Sequence, residues 1–363
     1  MTESRTKPVD VLVVGAGLAG VSAACRLAES GLQVRLVDQA LSLGGAVLRQ
    51  AQQGTDRRLQ GVHQAAWQAL MNRLHQAGDR VEVSLGLAFS GFDNSGAAML
   101  VHAQQVSHEW LHPQAVVLAT GATERVRPRT GWTLPGVMTA GALQILMKTS
   151  LRAPQKRVVI AGSGPLLLAV GAQLTKLGQA PLALIEESNP LQHWMKSAAL
   201  PWAYWREGVA YLFTLIKAGV PIHFGHQVTR IAQGDAGLKL TVQGKSQTLH
   251  LETDLVALHD GIMPNSYGMR PEGKLIWRVA GDSALGLGAR ASAAHGERVA
   301  LDIIGLLAPL SVSTAATAAR IRQLDKAIET ENNAQRLIKG IYQSDEAAAL
   351  RALPSDTVIC RCE

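Results

Sequence analysis

Cysteine is nearly absent: the chain has three in 363 residues, and none is spaced CxxC. That excludes both a disulfide scaffold and a redox dithiol of the thioredoxin type. Cys25 reads as a small packed side chain on a helix, and Cys360 and Cys362 stand at the end of the sequence. Aromatic residues make up 4% and no run of five or six Lys or Arg occurs, so the net charge of +7 does not mark a nucleic-acid binder. The charge suits an anionic cofactor or an acidic partner surface. Long hydrophobic runs are missing too; the longest, VALDIIGLLAPLSV, is interrupted by Asp302 and is too short to cross a bilayer. The opening MTESRTKPVD is polar, so no leader is expected and the expected location is the cytoplasm, with peripheral attachment to the inner membrane through partners as the alternative. No Ser/His/Asp set, HExxH or paired carboxylates stand out, which leaves hydrolysis without support and the catalytic side-chain set empty. His259 and Asp260, in VALHDGIMPN, read as a loop histidine held by its surroundings and not as an acid/base pair.

What the chain does have is glycine at telling places. VDVLVVGAGLAG is an apolar run followed at once by Gly15, Gly17 and Gly20 and then by the helical stretch VSAACRLAESG. A buried strand, a glycine turn and a helix make a phosphate site, with Ala16, Leu18 and Ala19 completing the turn. Gly15 permits the turn, Gly17 lets the backbone approach a pyrophosphate, and Gly20 lets helix and strand pack closely. Helix N-termini also present free N–H groups and a positive dipole end. Asp38 and Gln39 close the next strand, LQVRLVD, where a carboxylate accepts an adenosine ribose. A second, degraded copy runs KRVVIAGSGPLLLAVGAQLTKLGQAPLALIEES, with Gly162, Ser163, Gly164, Pro165 and Leu166 in the turn and Glu186 ending the following strand. Leu167 replaces the third glycine, so this cradle is expected to be looser or shaped for another nucleotide; Glu186 would favour a free ribose hydroxyl over a 2′-phosphate.

Further pieces surround these two devices. Gly44 and Gly45 let the backbone pass close to a dinucleotide, with Arg49 as a phosphate or flavin contact. Residues 56–77 read as a helix, a short antiparallel section follows up to residue 112, and AVVLATGATE is a buried strand ending in Thr120 and Gly121. After a connecting stretch, 125–150, and the second nucleotide unit, Gly281 and Asp282 end a strand; Asp282 suits a ribityl chain, and the helix starting near Gly288 and Ala289 suits the pyrimidine edge of a flavin. The alternative for Asp282 is an N-cap. Trp194, Trp202 and Trp205 fall at helical spacing, for which core is favoured over an interface anchor. The length suits two or three domains. The expected plan is an α/β fold of two Rossmann-like dinucleotide-binding domains that resembles the glutathione/thioredoxin-reductase type, the second inserted in the first. An FAD-binding domain takes 1–125 and 261–310, the second nucleotide domain 151–260, and a helical C-terminal segment 311–363.

These marks resemble the two-dinucleotide-domain flavoproteins, which include thioredoxin reductase and ferredoxin reductases. Residues 119–149, ATGATERVRPRTGWTLPGVMTAGALQILMKT, with GSGPLLL at 162–168 and HDGIMPN at 259–265, narrow the resemblance to the FAD-containing alpha subunits of heteromeric amine and imino-acid oxidases. That group takes in opine oxidases, hydrogen cyanide synthase, D-hydroxyproline dehydrogenase, dye-linked L-proline dehydrogenase and, more distantly, heterotetrameric sarcosine oxidase. The resemblance implies FAD in the first cradle, NAD(H) or ATP in the second, and a [2Fe–2S] cluster for which Cys360 and Cys362 supply part of the ligand set, so that the segment 311–363 leads to the start of a truncated iron–sulfur domain. It also implies a beta subunit of the D-amino-acid-oxidase type that oxidises the substrate, and, as a further partner, a small ferredoxin-like subunit. The competing readings are a self-contained NAD(P)H-dependent flavin reductase and a nucleotide-binding structural subunit.

Overall fold

The computed structural model describes residues 8–48, 64–102, 107–266, 269–271, 273–286, 288–308 and 314–342, apart from the side chains of residues 191 and 194. Contacts divide the chain into two units. One takes in the described residues up to Thr123 together with Met263–Asn333, and the other takes in Glu124–Ile262 and the chain from Ala334 onward.

The first unit is organised by apolar segments too continuous to face water on either side. Val11–Val14 is buried along its length. It lies at the centre of a five-stranded sheet, flanked by Val34–Asp38 and then Val81–Leu85 on one side, and by Ala115–Leu118 and then Ile276–Val279 on the other. All four pairings are parallel. Strands buried on both faces belong in such a sheet, and each face has its own cover. The helices Leu18–Glu29 and Ala289–Leu307 bury Val21, Ala24, Leu27, Val299 and Ile303 with Val11 and Val13. Those two helices touch closely: a Cβ on Gly296 would stand 2.0 Å from the Ala19 carbonyl oxygen, so only glycine fits there. On the other face, Leu12, Val14 and Leu118 pack on Leu87, Ala98 and Leu100. These last come from an antiparallel meander of Leu87–Phe92, Ala98–His102 and His108–Leu111, in agreement with the antiparallel section read from the sequence. Cys25 is fully buried and its Sγ reaches the Leu70 carbonyl at 3.9 Å, the packed role expected of it.

The second unit repeats that plan. Its five-stranded sheet is again parallel throughout, with Val158–Gly162 central, Ala183–Glu186 and Ile222–Phe224 on one side, and Leu255–His259 and Val137–Thr139 on the other. Helices Ala140–Ser150, Pro165–Lys176 and Trp202–Lys217 cover one face through Leu143, Met147, Leu167, Leu174 and Leu215. A meander of Gln227–Gly234, Gly237–Gln243 and Thr248–Thr253 covers the other through Val228, Ile231, Leu240 and Val242. The stretch 125–150 is therefore more than a connection. It supplies the edge strand Val137–Thr139 and a helix that Thr139 caps, its side chain accepting the Ala142 N–H at 3.1 Å. The long helix Ala315–Ile341 ends in this unit, where Gln335 bonds the Tyr204 hydroxyl at 3.2 Å and Lys196 bonds the Gly340 carbonyl at 3.2 Å.

Tryptophan placement departs from expectation. Trp202 and Trp205 are 77% and 38% exposed, because the helix Trp202–Lys217 turns Leu215 inward and leaves these rings on its outer side; nothing is described of the Trp194 side chain. Among the described residues no helix is long and apolar enough to cross a membrane.

Candidate functional site

The first cradle is built by contacts that leave room for glycine alone. Gly15 sits at φ +104, and a Cβ on it would lie 2.2 Å from the Ala119 carbonyl oxygen, so the turn after Val11–Val14 rests directly on the end of Ala115–Leu118. A Cβ on Gly20 would stand 1.8 Å from the Gly15 carbonyl oxygen. Gly17 is the N-cap of Leu18–Glu29, extended at φ −80, and no side chain caps that helix. Leu18, Ala19 and Gly20 are nevertheless buried. A buried, uncapped helix start leaves N–H groups that need an acceptor, and a phosphate supplies one. Opposite lies the loop after Asp38. Gly44 donates its N–H to the Ala16 carbonyl at 2.9 Å, and a Cβ on Gly45 would come within 3.1 Å of the Gly17 Cα. Asp38 is half-buried; its carboxylate accepts the Ala16 N–H at 2.6 Å and the Ala40 N–H at 2.8 Å, while Gln39 is exposed. The acid predicted at the strand end thus borders the glycine turn. These features fit a dinucleotide.

The remaining first-unit residues fall on neighbouring strand ends. Thr120 and Gly121 are held against Asn265: the Thr120 hydroxyl bonds the Asn265 carbonyl, and the Asn265 N–H bonds the Gly121 carbonyl at 3.0 Å. Gly281 lies at φ +72, and a Cβ on it would stand 2.7 Å from the Ala19 Cβ, so it ties the end of Ile276–Val279 to the first helix. Asp282 Oδ1 accepts the Gly288 N–H at 2.6 Å and the Ser292 hydroxyl at 3.4 Å. Gly288 precedes Ala289–Leu307, a second helix start with no side-chain cap. Sequence reasoning missed His295, whose Nδ1 accepts the Gly281 N–H at 2.9 Å. Burial, assisted by the nearby Arg298, lowers its pKa below the usual histidine value and keeps the ring neutral. Arg49 lies outside the described residues.

The second cradle repeats the strand-end contact but not the opening. Gly162, at φ +138, is pressed against the His259 carbonyl as Gly15 is against Ala119; its Cβ would lie 1.8 Å away. Gly164 is the N-cap and Pro165 follows at the first helical position, where its missing N–H costs little. Leu166 is half-buried, and Leu167, at the place of the third glycine, is 1% exposed in the core. Glu186 is only 4% exposed. Its carboxylate accepts the Gly164 N–H at 3.0 Å, the Ser188 N–H at 3.0 Å and the Ser188 hydroxyl at 2.8 Å. Burial raises its pKa against the opposing pull of those donors. The Ser163 hydroxyl donates to the carbonyl of Tyr342 at 3.1 Å, and burial, with Glu186 nearby, pushes the Tyr342 phenol up to about 12. The chain's own helix end therefore bonds the turn at which a nucleotide phosphate would dock.

Two buried polar groups lie beside this turn. His259 Nδ1 lies 2.8 Å from Glu124 Oε1, which makes it the satisfied histidine expected from VALHDGIMPN. Asp260, whose side chain is fully buried, accepts from Arg127 Nη2 at 3.0 Å and from Arg129 Nη2 at 2.6 Å, while Glu187 also pairs with Arg127. The two arginines hold the Asp260 carboxyl below the usual range against the cost of burial. Cys360 and Cys362 lie outside the described residues, among which no group of three or more His, Cys, Asp or Glu could hold a metal ion.

Comparison with known proteins agrees with this architecture. Residues 9–278 match the family model for pyridine nucleotide-disulphide oxidoreductase. The A subunit of opine oxidase from Rhizobium meliloti (strain 1021) is 30% identical over 388 residues, spanning 98% of this chain and 82% of the relative. Hydrogen cyanide synthase subunit HcnB of Pseudomonas aeruginosa is 29% identical, spanning 97% of this chain and 82% of its own. Among solved structures, thioredoxin reductase of T. acidophilum superposes with a TM-score of 0.52 at 16% identity, covering 92% of this chain and 99% of that one, which speaks for the fold. The chain belongs to the pyridine nucleotide-disulphide oxidoreductase family and is an FAD-dependent oxidoreductase subunit related to the A subunit of opine oxidase.

Proposed function

We propose that this chain handles electrons within a heteromeric amine or imino-acid dehydrogenase or oxidase of the opine, cyanide-forming, hydroxyproline or proline type. The substrate is oxidised at a partner flavoprotein of the D-amino-acid-oxidase type, and no side chain of this chain acts as a catalytic base. The carrying observation is the alignment of 98% of the chain with the A subunit of opine oxidase. Bound FAD supplies a centre that takes up two electrons together and releases them singly. The Gly15–Gly20 turn and the uncapped start of Leu18–Glu29 hold its pyrophosphate, and Asp38 holds the ribose. Thr120 and Gly121 clear space beside it, Asp282 takes the ribityl chain, and the helix start at Gly288 and Ala289 faces the pyrimidine edge. Cys360 and Cys362 contribute to a [2Fe–2S] site in the intact protein, and a small ferredoxin-like subunit is a further candidate partner.

NAD(H) or ATP, if taken up at Gly162–Leu166 and Glu186, would dock at a turn whose Ser163 hydroxyl already bonds the Tyr342 carbonyl. The bond between those residues, with Glu186 buried, disfavours a self-contained NAD(P)H-dependent reductase. Stopped-flow spectroscopy distinguishes the readings. Bleaching of this chain's flavin by amine substrate only when the partner is present supports the subunit role. Bleaching by NADH in the isolated chain supports the reductase and overturns the proposal, as does the absence of reduction under both conditions.

A further inference from the structure

The helix Trp202–Lys217 has two apolar faces, and its own unit covers one. Leu215 is fully buried against Pro165–Lys176, whereas Trp202, Val209, Phe213 and Ile216 are 77%, 55%, 67% and 68% exposed, with Trp205 at 38%. These five recur at three- and four-residue steps, so they form one continuous stripe along the outer side. Met195, 69% exposed on the preceding short helix, adds another large apolar side chain to the same stretch of chain. Weighted by their exposure, the five present roughly 600 Å² of apolar surface, at the top of the range for the largest patch on a monomer and approaching the ~800 Å² that each partner buries in a standard interface. Trp and Phe are also the side chains that anchor interface centres. Arg206 and Lys217 are exposed on the same helix, whereas its acid, Glu207, is half-buried and accepts the Tyr211 hydroxyl at 2.6 Å. The stripe therefore has a cationic rim, in keeping with the chain's net charge of +7.

We propose that this face docks the substrate-oxidising flavoprotein subunit, whose matching surface is an apolar patch rimmed by Asp and Glu. The inference rests on the heteromeric reading above and adds to it the surface by which the complex forms. Exposed large rings cost little to replace in the isolated chain, so variants here test binding without testing folding.

The chain is co-purified with a co-expressed flavoprotein subunit of the D-amino-acid-oxidase type, and the complex is titrated for wild type, Trp202→Glu, Phe213→Glu and the double variant. Trp110→Glu, at a 46% exposed tryptophan of the other unit, serves as control. Each stripe variant is expected to raise Kd at least about thirtyfold, as loss of an interface anchor does, with unchanged melting of the free chain. The control leaves Kd unchanged. Hydroxyl-radical footprinting is expected to oxidise Trp202 and Phe213 in the free chain and to protect them in the complex. A wild-type complex that reduces this chain's flavin on substrate addition, yet is indifferent to both substitutions, overturns the docking face while leaving the subunit role intact. Failure of the wild-type complex to form overturns both. Protection of Trp202 in the free chain, or a dimer of this chain alone that the substitutions dissolve, also overturns the proposal, because the face is then covered by the chain itself or by a second copy.

Discussion

Replacing Gly17 by alanine separates the holding of a cofactor from the holding of a fold. Gly17 lies at φ −80 and ψ −171, a region any residue adopts, and the nearest atom to an added Cβ is the Gly45 Cα at 3.8 Å, an ordinary contact. The apo fold therefore has room for the methyl group. Its backbone entropy term favours alanine by about 0.4–1 kcal/mol, and the loss of an N-cap glycine opposes that by a similar amount, so the expected change in apo stability is about zero. A pyrophosphate seated over Gly17 has no such room, because the methyl group projects into the gap between the helix start and the Gly44–Gly45 loop. Losing one charge-assisted hydrogen bond there costs about 1.5–3 kcal/mol, or about ten- to 150-fold in the Kd for FAD. The assay uses flavin-stripped protein: thermal unfolding first, then titration with FAD followed by flavin fluorescence. Gly20→Ala is the counter-case, since its Cβ would stand 1.8 Å from the Gly15 carbonyl oxygen; apo stability there is expected to fall by several kcal/mol. Wild-type FAD affinity in a normally folded Gly17→Ala protein would refute the placement of the pyrophosphate.

Three other outcomes follow from the geometry. Asp38→Asn leaves one amide oxygen for two N–H donors, those of Ala16 and Ala40, and removes the charge; FAD binding measured by titration should weaken by about tenfold or more. Asp260→Asn sets Arg127 and Arg129 against Glu187 alone in a buried setting, and denaturant unfolding should report a loss of about 3–5 kcal/mol. His295 has its folded pKa depressed by burial and by Arg298, so the unfolded chain binds its proton first as pH falls. The stability it contributes is complete above the ordinary value of 6.5 and is lost as pH falls from there toward the lower folded value. His295→Asn, which keeps an acceptor for the Gly281 N–H, should flatten the stability-against-pH curve in that window by up to about 1.4 kcal/mol per pH unit, and an unchanged slope would contradict the assignment.

How much of this was legible depended on whether the cause was local. The first glycine turn was legible because strand, turn and helix are consecutive and Gly20 meets Gly15 within them, whereas the contacts of Gly15 with Ala119 and of Gly17 with Gly45 come from distant segments. Trp202 and Trp205 were misjudged because a helix with two apolar faces gives one pattern whether its own domain or another chain covers the second face. The edge strand Val137–Thr139 is too short to carry a period, although Thr139 before AGALQILMK was a readable cap. Arg127, Glu187 and Asp260 meet only in the fold: Glu187 and Asp260 follow the ends of different strands of the sheet, Arg127 lies on the stretch before Val137–Thr139, and no spacing along the chain announces their meeting. His295 was hidden for the same reason, nearly two turns into Ala289–Leu307 and bonded to a glycine before that helix begins.

The two cradles then show what a duplicated device can lose while its fold persists. In both, a glycine at positive φ is pressed on the carbonyl that ends the neighbouring parallel strand, Ala119 for Gly15 and His259 for Gly162, so the strand-end geometry is equally strict. The third position is not. At Gly20 the helix backbone comes down onto Gly15, whereas at Leu167 a side chain is spent on the core of the unit. Selection for packing alone suffices to keep the first feature, since any side chain at Gly162 collides with backbone. An acid beside such a turn can also withdraw wholly into the protein, whereas Asp38 accepts the Ala16 and Ala40 N–H groups and stays half-exposed. Glu186 has withdrawn, bonding Gly164 and Ser188 beneath Tyr342, and an acid in that state serves the turn itself.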